Sequence, residues 1–134
     1  MEAWQYNGRE LTDEDLEGYV AFVYQVTCIA TGKKYIGKKR LKFKRTKTIK
    51  GKKKRYTIES DWRTYFGSNK TLSAEVEELG PDKFRREVIT LCKTLGAASY
   101  EEARLQFVYD VLRRQDFYNE WISVKVTRSH LGKK

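Results

Sequence analysis

The stretch VYQVTCIATGKKYIGKK, residues 23–39, holds two tyrosines eleven positions apart, Tyr24 and Tyr35, the second followed by Ile36 and Gly37. Residues 19–29 are rich in Tyr, Val, Phe and Ile, the composition of a strand. Ala30-Thr31-Gly32-Lys33 is a turn signal, and residues 33–37 read as the antiparallel partner across it. Side chains alternate along a strand, so Phe22, Tyr24 and Val26 share one face, and Tyr35 shares one with Gly37. A hairpin can bring the two phenols together, although the residues alone do not fix its register. Two readings stay open at this level. The tyrosines are a cross-strand aromatic pair worth about 0.2–1 kcal/mol, or two hydroxyls placed to act on a bound molecule.

The charge that follows narrows the choice of molecule. Of the 28 basic residues, 14 lie between Lys33 and Arg55, and no acidic residue occurs from Gly18 to Ile58. The rest of the chain carries 14 basic against 18 acidic residues, a net of −4 within a total of +10. Charge gathered into one segment is the footprint of a polyanion-binding surface. Lys38, Lys39, Lys44, Lys50, Lys52, Lys53, Lys54 and Arg55 are the candidate backbone-phosphate contacts. The run lacks the apolar face of an interfacial helix, so duplex nucleic acid, not a lipid surface, is the expected partner.

The remaining composition is bounding. A chain of 134 residues makes one domain and buries roughly two-thirds of its unfolded surface without help from metal or disulfides. Cys28 and Cys92 sit in apolar runs as small hydrophobes, and one histidine cannot build a zinc site or a Ser-His-Asp triad. No apolar stretch approaches the ~20 residues of a membrane span, and the start of the chain is acidic, not signal-like. A soluble, cytoplasmic protein is expected, monomeric or weakly dimeric.

Outward from the hairpin, residues 1–18 read as an acidic surface arm with a capped turn at Thr12-Asp13-Glu14-Asp15. The basic segment reads as a long loop or extended ribbon. Gly67-Ser68-Asn69-Lys70 opens a helix over 71–79, either as a plain cap or as a phosphate site at its N-terminus, and Gly80-Pro81 stops it. Residues 83–93 form a third strand. Ser99-Tyr100-Glu101-Glu102 is a capping box that opens a helix to about Arg114, with Ala103, Phe107, Val108, Val111 and Leu112 inward. Residues 116–126 are extended, with Tyr118 and Trp121 in the core, and 127–134 are a basic tail. The expected fold is α+β: a small central antiparallel three-stranded sheet flanked by helices, spanning 19–126, with a long basic loop after strand two.

Phe22-Val23-Tyr24, then Tyr35-Ile36-Gly37, then Arg45 ten residues beyond the second tyrosine, resembles the GIY-YIG nuclease family. Phe22 stands where that family usually has glycine. YFGSNKTLSAEVEELGPDKFRREVI, from Tyr65 to Ile89, is similar to its phage-encoded free-standing, homing-type members. The resemblance covers about residues 19–122, and its C-terminal helix and asparagine correspond to EEARLQ and Asn119. It implies a metal-dependent DNA endonuclease using Mg²⁺ or Mn²⁺, one ion per site, in the host cytoplasm if phage-encoded. Tyr24 and Tyr35 would act on the water and Arg45, or its competitor Arg40, on the phosphate. Ser68 and Asn119 would lie against the nucleic acid. A dense cationic field around the phenols would favour their ionised form.

The resemblance also implies a glutamate on the C-terminal helix that holds the metal. Counting back from Asn119 places it near 104–107, where Arg104, Leu105, Gln106 and Phe107 stand. Glu102, Gln106 and Asp110 form an i, i+4, i+8 stripe. Glu102 then binds the metal, or Gln106 takes the ligand's place, or Glu102 serves only its capping box. Without a carboxylate in reach, the scaffold would be a nucleic-acid-binding protein whose catalysis has lapsed.

Overall fold

The computed structural model describes residues 2–123, 125 and 127–131. Its strands are β1 (Gln5–Tyr6), β2 (Arg9–Glu10), β3 (Ala21–Cys28), β4 (Lys34–Arg40), β5 (Lys42–Ile49), β6 (Lys52–Glu59) and β7 (Phe84–Cys92). Its helices are α1 (Lys70–Leu79) and α2 (Leu95–Val108). Among the described residues the strands form a five-stranded sheet, β2-β1-β7-β3-β4, and a separate two-stranded ribbon, β5-β6. The expected antiparallel trio is β7-β3-β4 at the heart of that sheet, so the α+β class stands.

β3 lies at the centre and is buried on both faces, hence its nearly unbroken apolar run. Phe22, Tyr24 and Val26 pack with Trp4, Trp62, Leu72 and Phe84 on one face. Ala21, Val23 and Ile36 meet Ala98, Leu105 and Phe117 on the other, the α2 side. A register shift between Val23 and Tyr24 leaves Ile89 as an extra residue in β7. The extra residue flips the alternation, so Phe84 and Val88 join the first cluster while Cys92 joins the second.

Several expectations change. Residues 1–18 are more than a surface arm: β1 pairs in parallel with β7, and Trp4, 3% exposed, donates its indole N–H to the Trp62 carbonyl at 2.9 Å. Of the two readings of the basic segment, the extended ribbon holds and the long loop does not: it is the β5-β6 hairpin. Helix α2 begins four residues before Ser99, because Thr94 is the N-cap and accepts from Ala97 N. It ends at Val108, leaving Phe107, Val108 and Leu112 exposed while Ala103 and Val111 are buried. Residues 116–119 run along the open edge of β4: Lys34 N donates to Asp116 O and Tyr118 N to Lys34 O. Tyr118 is core as expected, whereas Trp121 is 65% exposed. Residues 124, 126 and 132–134, parts of the expected extended segment and basic tail, lie outside the described residues.

Candidate active site

The hairpin register sets Tyr24 opposite Gly37 and Val26 opposite Tyr35. With no Cβ at Gly37, the Tyr24 phenol lies across the β4 backbone, and the Tyr24 and Tyr35 rings sit 6.2 Å apart. Tyr65 completes the cluster, its ring edge-on to that of Tyr24 with centroids 6.0 Å apart. The Tyr35 hydroxyl shares a hydrogen bond with Ser68 Oγ at 3.1 Å. Gly67, at φ +120°, lets that loop close over the Tyr35 ring, 3.0 Å from where its Cβ would stand. Asn69, not Ser68, caps α1, accepting from Leu72 N and donating to the Tyr118 carbonyl.

β4 is the outer strand of the sheet proper, so groups from its two faces can meet around its edge. There, Asn119 Oδ1 accepts from Ile36 N at 3.1 Å and its Nδ2 donates to Ile36 O at 2.8 Å, continuing the ladder with a side chain. Gln106 Nε2 donates to the same carbonyl at 3.0 Å. Asn119 and Gln106 therefore hold the edge of β4, and Asn119, 8% exposed, lines a cavity with Tyr35 and Ser68. Gln106 is 4% exposed, and its Oε1 is buried with no hydrogen-bond partner. Gln106 lines a cavity of about 100 Å³ with Tyr35, Ser68, Glu102 and Trp121 at its walls.

Glu102 belongs to this cavity and not to a cap, since the helix starts upstream of Ser99. The Ser99 hydroxyl instead donates to the Leu95 carbonyl and accepts from Lys38 Nζ at 2.6 Å. Burial raises the Glu102 carboxyl above the usual glutamate range, against the lowering effect of Lys38. The stripe of three is reduced to two, because Asp110 lies past the helix end at φ +52°. Among the described residues no cluster of three His, Cys, Asp or Glu side chains forms a metal site. One carboxylate and one orphaned amide oxygen beside a phenol are nonetheless hard oxygen donors, which suit a cation that keeps most of its water. The residues present fit Mg²⁺ or Mn²⁺.

The phenols are not ionised by a cationic field. Tyr24 is pushed well above the ordinary tyrosine value by burial first, then by Tyr65, Tyr35 and Glu102. Tyr35 is raised for the same leading reason, with Ser68 opposing. The cations expected beside them stand elsewhere or are already paired. Lys39 forms an ion pair with Asp61 at 2.6 Å and lies 3.9 Å above the Tyr65 ring, with little exposure. Arg45 is out on the ribbon, stacked on Phe43 at 4.9 Å. Phe43 in turn shares a cavity of about 360 Å³ with Arg40, Lys39 and Tyr65. Lys44, Lys50, Lys52, Lys53, Lys54 and Arg55 are exposed on the ribbon.

The profile of one known family, described as "Putative endonuclease segE, GIY-YIG domain", matches residues 4–122. The chain belongs to the GIY-YIG endonuclease family. The match takes in Trp4 at one end and Asn119 at the other, so the GIY-YIG unit includes the N-terminal strands that sequence reasoning set aside as an arm. No curated protein and no solved structure matches the chain. No described helix is long and apolar enough to cross a membrane. Within the GIY-YIG site, Tyr65 is a residue the sequence does not single out, yet its ring packs edge-on against Tyr24. Its place directly before Phe66-Gly67-Ser68 was the available signal.

Proposed function

We propose that the protein hydrolyses phosphodiester bonds in duplex DNA at the cavity between Tyr35 and Glu102. The observation that carries this reading is convergence: Tyr35, Glu102 and Gln106, whose Oε1 is buried without a partner, line one cavity, though they come from β4 and α2. Glu102 and Gln106 Oε1 would hold the divalent cation, which supplies charge neutralisation on the phosphoryl oxygens and a more acidic water.

The protein's own groups do the rest. Tyr35, held by Ser68 and protonated at neutral pH, orients the attacking water by hydrogen bonding. Tyr24 and Tyr65 pack behind it and fix its ring. Water oxygen bonds to phosphorus, the bond from phosphorus to one sugar oxygen breaks, and the water's proton passes by way of the Tyr35 and Ser68 hydroxyls to solvent, while the departing oxygen takes one from solvent. Arg40, which shares a cavity with Lys39 and Tyr65, is nearer this centre than Arg45 and contacts the phosphate with a planar two-pronged guanidinium. In this scheme Phe22, at the family's usual glycine position, is a core residue edge-on to Trp4 and Trp62.

Nicking of supercoiled plasmid in Mg²⁺ tests the reading. Wild type cuts, while Tyr35→Phe and Glu102→Gln fold and bind DNA but cut about 10²–10⁴-fold more slowly, the usual worth of proton-transfer help. Wild-type binding without cutting in either Mg²⁺ or Mn²⁺ would replace the enzyme with a DNA-binding protein on the same scaffold.

A further inference from the structure

The β5-β6 ribbon is a second functional element. Eight residue pairs run in unbroken register from Lys42–Glu59 to Ile49–Lys52, closed by a two-residue turn with Lys50 at φ +50° and Gly51 at φ +77°. That is the turn with two left-handed residues that matches strand twist. Only Phe43, at the root, is partly buried. An isolated two-stranded ribbon is marginal in water, and this one places Lys47 directly opposite Lys54, which is destabilising.

Its charge is two-sided. By the register, Lys42, Lys44, Lys53 and Arg55 project from one face and Arg45, Lys47, Lys52 and Lys54 from the other, with Lys50 at the tip. A ribbon lying on a flat anionic surface needs cations on one face only. An element flanked by anions needs them on both. The major groove of B-form DNA is about 12 Å wide and 8.5 Å deep, is walled by phosphates on both sides, and admits a two-stranded ribbon. Strands ~4.8 Å apart with side chains to either side match that width, and the minor groove, about 6 Å wide, does not.

We infer that the ribbon lies in the major groove of duplex DNA, with its two basic faces against the phosphates of opposite strands. The face bearing Arg45 and Phe43 continues into the cavity of Lys39, Arg40 and Tyr65. The strand on that side is thereby led toward Tyr35. The inference rests on duplex DNA being the substrate, so binding is measured apart from cleavage, in EDTA.

The experiment compares two triple variants on a short mixed-sequence duplex: Lys44, Lys53 and Arg55→Gln, and Lys47, Lys52 and Lys54→Gln. Each neutralised phosphate contributes about −0.9 to the slope of log K against log[salt]. Both variants should retain the wild-type circular dichroism spectrum, and each should make the slope shallower by roughly two to three units. Wild type should protect guanine N7 from methylation and should bind duplex RNA, whose major groove is deep and narrow, more weakly. A slope change confined to one variant, absent N7 protection, or equal affinity for duplex RNA would each overturn the groove assignment. Loss of cleavage with these binding results intact would instead count against the nuclease reading alone.

Discussion

The Tyr24 phenol occupies the space that a side chain at Gly37 would fill: a Cβ there would stand 2.5 Å from Tyr24 Oη and 2.9 Å from Tyr35 Cε2. The glycine of Tyr35-Ile36-Gly37 is therefore a consequence of the tyrosine cluster, not a flexible joint. Gly37→Ala should destabilise the fold by about 1–3 kcal/mol through overpacking, and both phenols must shift. Cleavage should fall far more than that loss of stability accounts for. Urea unfolding beside a nicking assay checks it, and near-wild-type cutting would separate the glycine from the chemistry.

Glu102 carries a pH prediction. Its pKa is raised by burial above the ordinary 4.5. A carboxyl whose folded pKa exceeds its unfolded one binds protons more readily when folded. Its ionisation therefore costs stability as pH rises from the unfolded value through the folded one. Glu102→Gln should leave the protein equally or more stable at neutral pH while slowing metal-dependent cutting by about 10²–10⁴-fold. Wild-type kcat should fall on an acidic limb centred above the ordinary glutamate range. A mutant that unfolds at neutral pH would show instead that the carboxylate is structural.

Trp4 tests where the GIY-YIG domain begins. Its ring packs edge-on against Phe22 at 4.9 Å and Tyr24 at 5.4 Å. Trp4→Ala should cost about 3–5 kcal/mol, the usual loss for a buried large aromatic. A change within 0.5 kcal/mol would return residues 1–18 to the status of an appendage.

Arg86 is 2% exposed and stacked between Trp4 and Phe66, its guanidinium 4.6 and 4.5 Å from the two rings. It donates to the carbonyls of Glu2, Arg63 and Tyr65, and burial lowers its pKa to about 10. Arg86→Met keeps the volume but strands three carbonyls. A loss of about 2–4 kcal/mol is expected, since each unsatisfied buried group costs roughly 1–3 kcal/mol and waters recover part. Cleavage should also slow at temperatures where the fold is intact, because Tyr65 loses its anchor.

The central hairpin was legible because its alternation and its turn are local. The outlying parts were not. Strands β1 and β2 are two residues each, too short for any period, and Trp4 is buried only through tertiary contacts. One face of the ribbon is wholly polar, and on the other Phe43, Ile49, Tyr56 and Ile58 are interspersed with Arg45, Lys47, Lys52 and Lys54, so charge breaks up the apolar alternation that reveals a strand. Ser99-Tyr100-Glu101-Glu102 imitates a helix start, yet Thr94 lies upstream and Gly96 weakens the intervening pattern. Counting back from Asn119 stops short of Glu102, the glutamate that lines the cavity, because α2 ends at Val108 and residues 109–115 make a turn of their own through Asp110. Arg45 was read as a neighbour of Tyr35 by spacing, but β5 carries it away along the ribbon.

The grip of Asn119 and Gln106 on one peptide, that of Ile36, sets an order of events during synthesis. A nascent chain presents Tyr24, Tyr35 and the basic ribbon long before residue 119 leaves the ribosome. Until then the edge of β4 is open, and the helix carrying Glu102 lacks the brace beside it. The polypeptide can thus present its basic ribbon while the strand that carries Tyr35 still lacks the side chains that close its edge.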